Sequence, residues 1–377
     1  MKKGLKISLL ALLLLLVIYA VLPSYLRNAL TYYHANIDDY TIFENRKVPN
    51  SSVHPWPLSR AYNTTPLADT LQEAIETLDP VAFLLVKDGE IVHEQYWDGY
   101  GNQSYSNSFS MAKSIVGLLT GIALEEGYIK SLDEPVGNYL PAYQQGDNSQ
   151  LTIRHLLTMS SGLNWDESYG SPFSVTTKAY YGSDLPELVN ELQVIEAPGK
   201  EWKYLSGNTQ LLALVLEKAT HRRLSEYASE KLWKPLGASS PALWSLDKPD
   251  GTEKAYCCFN SNARDFARLG QLVLNKGKWK GQQLISPAYL EEALKPAAHL
   301  VDEEGAPVDF YGYQWWVVNY KGKAIPYARG ILGQYIFVLP DKESVLVRLG
   351  HERDSEYIQH HPKDVYLYLD AAYSLLP

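Results

Sequence analysis

The chain begins with Lys2, Lys3 and Lys6, then runs through twenty uncharged residues from Ile7 to Leu26 before Arg27. A bilayer-spanning helix needs about 20 apolar residues and a signal-peptide core about 7–15. No small-x-small cleavage site follows, so segment 1–27 is expected as an uncleaved anchor, with a cleaved signal as the alternative. In both cases the lysines stay in the cytoplasm and the rest is exported. Residues 28–66 are mixed, polar and rich in tyrosine and proline, and read as a tether that packs partly onto the domain.

Beyond the tether the apolar spacing alternates between strand and helix. A helix is expected over Leu67–Leu78. "VAFLLVKDGEIVHEQYW" then sets two apolar runs around Asp88-Gly89, a hairpin signal. "SNSFSMAKSIVGLLTGIALEEG" reads as a long helix stopped by Gly127. From "LTIRHLLTMSSGL" to "ALKPAAH" the pattern is mainly helical, clearest in "NTQLLALVLEKAT" and "ARDFARLGQLVLNKG". "GYQWWVVNY", "IPYARGILGQYIFVLP" and "ESVLVRLGH" read as consecutive antiparallel strands with a turn at Pro340-Asp341-Lys342. "KDVYLYLDAAYSLL" closes the chain as a helix. The expected fold class is α/β, an antiparallel sheet built from both ends of a domain spanning 67–377. Helices flank it, with a mainly helical insert at about 130–300.

Composition narrows the chemistry. The chain of 377 residues is 46% apolar and carries a formal net charge of −9, with no basic run outside the N-terminus, which argues against a nucleic-acid partner. Its two cysteines, Cys257 and Cys258, are adjacent; such neighbours rarely staple a fold and match no zinc spacing. No G-x-S-x-G elbow accompanies any histidine, and His351-Glu352 lacks a second histidine at i+4. No metal and no cofactor are expected.

Two S-x-x-K patterns occur, Ser110 with Lys113 and Ser245 with Lys248. Ser245 precedes Pro249-Asp250-Gly251 and is expected in a surface loop. Ser110 heads a helix apolar nearly all round, so it should lie at the centre of the fold. One turn on, Lys113 can reach the Ser110 hydroxyl, and burial would lower its pKa toward that of a useful base. The helix start also offers N–H groups to a developing oxyanion. The bland alternative is a lysine that packs its stem and snorkels its head to water. Tyr204, in the Y-x-S triplet Tyr204-Leu205-Ser206 of "APGKEWKYLSGNTQLL", could relay a proton to a leaving group from beside that amine.

"SFSMAKS", "RHLLTMSSGL", "PGKEWKYLSGNTQLL", "ARDFARLGQLVLNKG" and "ARGILGQYIFVLPD" follow one another in an order and spacing that resemble the serine β-lactamase-related, penicillin-binding-protein-like hydrolases. The resemblance runs from about residue 80 to 375 and is strongest toward the aminohexanoate-dimer (nylon-oligomer) hydrolase and esterase branch. It implies Ser110 as nucleophile, Lys113 as base and Tyr204 as proton shuttle. The backbone N–H groups of Ser110 and Ile331 would form the oxyanion hole, and Tyr169 in "DESYGSP" would contact substrate. Where most relatives carry K-T-G or H-x-G, this chain has Ile331-Leu332-Gly333, so the cation that meets a substrate carboxylate is missing from that position. The expected activity is acyl-serine hydrolysis of a small ester, amide or short peptide by a bacterial single-pass membrane protein, its catalytic domain on the periplasmic or extracellular side. D,D-peptidase or β-lactamase action, and an inactive tethered relative, are the alternatives.

Overall fold

The structure, a computed structural model, describes residues 2–377; Met1 of the expected anchor lies outside them. The main sheet has six antiparallel strands in the order Glu90–Tyr96, Pro80–Lys87, Ser344–Gly350, Gln334–Leu339, Lys323–Gly330, Trp316–Tyr320. The early hairpin and the late strands meet where Pro80–Lys87 pairs with Ser344–Gly350. Asp88 and Gly89 both take positive φ, 50° and 78°, as a two-residue turn between right-twisted strands requires.

The run "VAFLLV" lacks alternation because both faces of the sheet are covered. Leu84 and Val86 face one core, shared with Phe266 and Leu269 of helix Ala263–Leu274 and with Val345 and Val347. Phe83 and Leu85 face the other, shared with Val365, Tyr368 and Leu369 of helix Asp364–Leu375. Helix Met111–Glu125 is buried from Met111 to Ala123 and packs beside helix Ser206–Thr220.

Three expectations are revised. "IPYARGILGQYIFVLP" is two strands joined by a turn at Ile331–Gly333, with Leu332 at φ 59° and Gly333 at φ 80°; the apolar turn residues hide it in the pattern. Residues 28–66 contribute more than a tether, because Asn45–Val48 pairs with Ala242–Ser245 in a second sheet of four strands. Ser245 therefore lies in a fully buried strand, its hydroxyl hydrogen-bonded to Asn45 Oδ1 at 2.8 Å, and not in a surface loop. Only Lys248 reaches the exposed turn, where it pairs with Asp184.

One described helix is long and apolar enough to cross a membrane; its Gly4–Val21 portion is wholly unburied. It breaks at Pro23, and a second helix, Ser24–Tyr32, turns back onto the domain and packs against helix Val175–Tyr181.

Candidate active site

Ser110 follows a strained turn. Phe109 holds φ at 43°, a left-handed conformation that crowds its β-carbon, and Ser110 then caps helix Met111–Glu125. Gly330 helps to hold this turn. A β-carbon there would lie 2.3 Å from the Ser108 carbonyl oxygen, so only glycine lets the end of strand Lys323–Gly330 touch it. The contact brings Ile331 and Ser110 into the lining of one cleft. Among the described residues, neither N–H of this pair donates to a turn or cap carbonyl, which leaves both available to an oxyanion.

Lys113 is 1% exposed, which removes the snorkelling alternative. Its Nζ lies 2.9 Å from Ser110 Oγ, 3.1 Å from Ser206 Oγ and 2.9 Å from the Tyr256 carbonyl oxygen. The carbonyl can only accept. Ser206 donates its own proton to Glu167 Oε1 at 2.6 Å, so toward Lys113 it must accept as well. A neutral Lys113 then has both N–H bonds engaged, and its lone pair is left facing Ser110. Burial pulls the Lys113 pKa down to about 8, against the opposing pull of the Glu167 carboxylate.

Tyr204 is hemmed in by Trp202, Tyr311 and Trp316, with ring centroids at 6.3, 6.1 and 5.4 Å. Tyr204 lines the small lobe of the cleft together with Ser110, and its ring centroid is 5.0 Å from Lys113 Nζ. Burial pushes the phenol up to about 12, although the nearby Ser110 hydroxyl and the Arg329 and Arg353 guanidinium groups draw it back. Near neutral pH the phenol keeps its proton while a share of Lys113 has lost one. This arrangement can take a proton from Ser110 at the amine and return one from the phenol.

The cleft divides at Ser110. A large lobe of about 1100 Å³ is lined by Phe109, Tyr256 and residues of the segment Ala29–Asn36. A small lobe of about 300 Å³ is lined by Trp202, Tyr204, Trp316, Arg329 and Arg353. Ser110, Tyr169 and Ile331 line both and so mark the junction. A separate cavity of about 600 Å³ beside His54, Trp56 and Arg268 contains none of these groups.

Ile331, and not a cation, stands at the junction of the lobes, but a cation reaches the cleft from the preceding strand. Lys321 and Lys323 pair with Asp370 and Asp341, but Arg329 enters the small lobe, its guanidinium carbon 3.3 Å from the Trp316 ring centroid. Neither Arg329 nor Arg353 forms an ion pair among the described residues. Sequence reasoning also missed Glu167. Besides the Ser206 hydroxyl, its carboxylate takes the Ser206 N–H at 2.6 Å and the Tyr169 hydroxyl at 2.5 Å. Its place two residues before Tyr169 was the available signal. The Tyr256 carbonyl had none, since a backbone oxygen leaves no mark in sequence.

A family profile described as Beta-lactamase matches residues 68–367. A 6-aminohexanoate-dimer hydrolase of Paenarthrobacter ureafaciens is 27% identical over 322 residues, 81% of each chain. A Staphylococcus aureus protein named flp is 27% identical over 41% of this chain and 33% of its own. Among solved structures, a candidate 6-aminohexanoate-dimer hydrolase from Bacillus anthracis superposes with a TM-score of 0.77 at 22% identity, covering 91% of this chain and 94% of that one. A family VIII carboxylesterase gives 0.64 at 16% identity over 85% and 99%. At these identities the structural matches speak for the fold alone.

Proposed function

Because the chain belongs to the beta-lactamase family, we propose that Ser110, Lys113 and Tyr204 transfer the acyl group of an ester or linear amide to water. Ser110 Oγ attacks the carbonyl carbon as neutral Lys113 takes its proton. The oxyanion is held by the Ser110 and Ile331 N–H groups. The proton passes from Lys113 through Tyr204 to the leaving oxygen or nitrogen, the acyl bond breaks, and water then repeats the sequence on the acyl-serine. The observation that carries this reading is the 2.9 Å contact between Lys113 Nζ and Ser110 Oγ, with every other partner of the amine already committed.

Tyr204 lies in the small lobe and not in the lining of the large one, so the leaving group belongs in the small lobe and the acyl portion in the large lobe. Arg329 and Arg353 there suit a leaving group that bears a carboxylate, as a linear amide of an amino acid does. The same pair supports a second reading, action on D-aminoacyl peptides or β-lactams, whose carboxylates also lie on the leaving side. Tyr169, at the junction, is placed to contact the scissile group.

We place the catalytic body outside the cytoplasm, anchored by the first helix. Lys2, Lys3 and Lys6 precede the apolar run, and the bond between Cys257 and Cys258 suits an oxidising compartment. Membranes washed with carbonate should retain the full-length chain. The activity is tested with p-nitrophenyl esters, linear amides, D-aminoacyl peptides and nitrocefin on wild type and Ser110→Ala. Turnover of at least one class should vanish in the variant while its thermal melt stays close to wild type; unchanged turnover would refute the assignment.

A further inference from the structure

The wall of the large lobe is built by the chain that leaves the membrane. The apolar helix ends at Val21, and Ala29, the first residue to line the lobe, follows eight positions later. Most of that stretch is helical, so it reaches roughly 12–15 Å at 1.5 Å per residue. The headgroup layer on each side of a bilayer is itself roughly 5–8 Å deep, the difference between a core of ~30 Å and a total of ~40–45 Å. With the first helix in a bilayer, as proposed above, that reach would set the mouth of the lobe at the membrane surface.

The lining has the matching chemistry. Leu30, Tyr32, Tyr33, Phe109, Ile331 and Leu332 all line the lobe. Glu352 is the only Asp, Glu, Lys or Arg among the lining residues, whereas the small lobe holds two guanidinium groups. Of the lining residues, Leu30 and Tyr33 are 56% and 76% exposed, and Phe173, next in the chain to the lining residue Pro172, is 76% exposed. Exposed aromatic side chains close to a membrane helix are the kind that settle at the headgroup level.

We propose that the large lobe is an acyl-chain subsite, and that the protein draws a long-chain acyl ester or amide from the bilayer that holds its anchor. This rests on the acyl-transfer reading of Ser110 and adds the substrate class to it. The chain enters between Leu30 and Phe109, its carbonyl stops at Ser110, and the leaving group occupies the small lobe.

Two measurements on the full-length chain test it. With monomeric p-nitrophenyl acetate, butyrate and octanoate, kcat/KM should rise by up to about fourfold for each methylene, the equivalent of ~0.8 kcal/mol at ~1.4 kcal/mol per tenfold. Leu30→Asp should cut the octanoate-to-acetate ratio at least tenfold. In phosphatidylcholine vesicles carrying the protein, 4-methylumbelliferyl oleate should be hydrolysed at least tenfold faster when it shares the bilayer than when it is supplied in separate vesicles. Acetate turned over as well as octanoate, or a ratio untouched by Leu30→Asp, would overturn the acyl subsite alone. Equal rates from shared and separate vesicles would overturn the bilayer as the source. No turnover of any ester or linear amide would overturn the acyl-transfer reading and this inference with it.

Discussion

Ser206 donates its hydroxyl proton to Glu167 over 2.6 Å, and that bond determines which way the hydrogen bond between Ser206 and Lys113 points. Glu167 also raises the Lys113 pKa, against the larger effect of burial. Glu167 is therefore a positioning residue with two separable effects. Glu167→Gln should lower the maximal rate, because Ser206 is no longer obliged to accept from Lys113. It should also move the midpoint of the pH–kcat/KM profile below its wild-type value, because an opposing charge is gone. A slower enzyme with an unmoved midpoint would reduce Glu167 to a packing role.

The pH dependence of wild type follows from Lys113. With a pKa of about 8, the amine is neutral in roughly a tenth of molecules at pH 7 and half at pH 8. Acylation should climb through pH 7–8 and level off above 9, with no second limb from Tyr204, whose phenol titrates at about 12. Single-turnover kinetics against pH would show this. A flat profile from pH 6 to 9 would mean that another group accepts the proton.

Stability carries the same signature with a definite sign. Between about pH 8 and 10.5 the unfolded chain binds a proton at Lys113 that the folded chain does not, so folding stability gains with pH across that window. Below pH 8 the buried ammonium costs stability. Lys113→Met should therefore gain most in melting temperature over wild type at pH 6–7, and this advantage should shrink toward pH 10. Lys254, buried and drawn down to about 7, titrates alike in both proteins and cancels in the comparison.

Arg329 and Arg353 give a test of the small lobe. A charge-assisted hydrogen bond contributes about 1.5–3 kcal/mol, roughly one to two powers of ten. Arg329→Gln should lower the ratio of kcat/KM for nitrocefin, which carries a carboxylate on its leaving side, to that for p-nitrophenyl butyrate by ten- to a hundredfold. An unchanged ratio would show that no carboxylate is held there.

Much of this site is legible in the sequence because helix and hairpin periods are local. Ser110 and Lys113 share a face through helical spacing alone, and Asp88-Gly89 announces its own turn. The resemblance to known hydrolases added Tyr169 and Ile331, the two residues that join Ser110 where the lobes meet. What escaped depends on contacts distant in sequence. Strand Asn45–Val48 is recognisable only once Ala242–Ser245 lies beside it. The turn at Ile331–Gly333 is built from apolar residues that read as strand, and with that turn unseen the path of Arg329 into the cleft was unseen too. Ser245 fits the motif of a nucleophile, yet only the second sheet shows that it is buried away from any cleft.

In the proposed reaction Lys113 is to act on Ser110 as a base and not as a buried charge. The most direct test is the site and rate of covalent labelling by a fluorophosphonate at pH 8, read by peptide mass mapping on wild type and Lys113→Arg. Arginine keeps the charge but cannot deprotonate in this range. The expected result is one label, on the peptide holding Ser110 in wild type, with labelling of the folded Lys113→Arg protein slowed at least a hundredfold. A label on any other serine, or wild-type labelling of Lys113→Arg, would contradict the account.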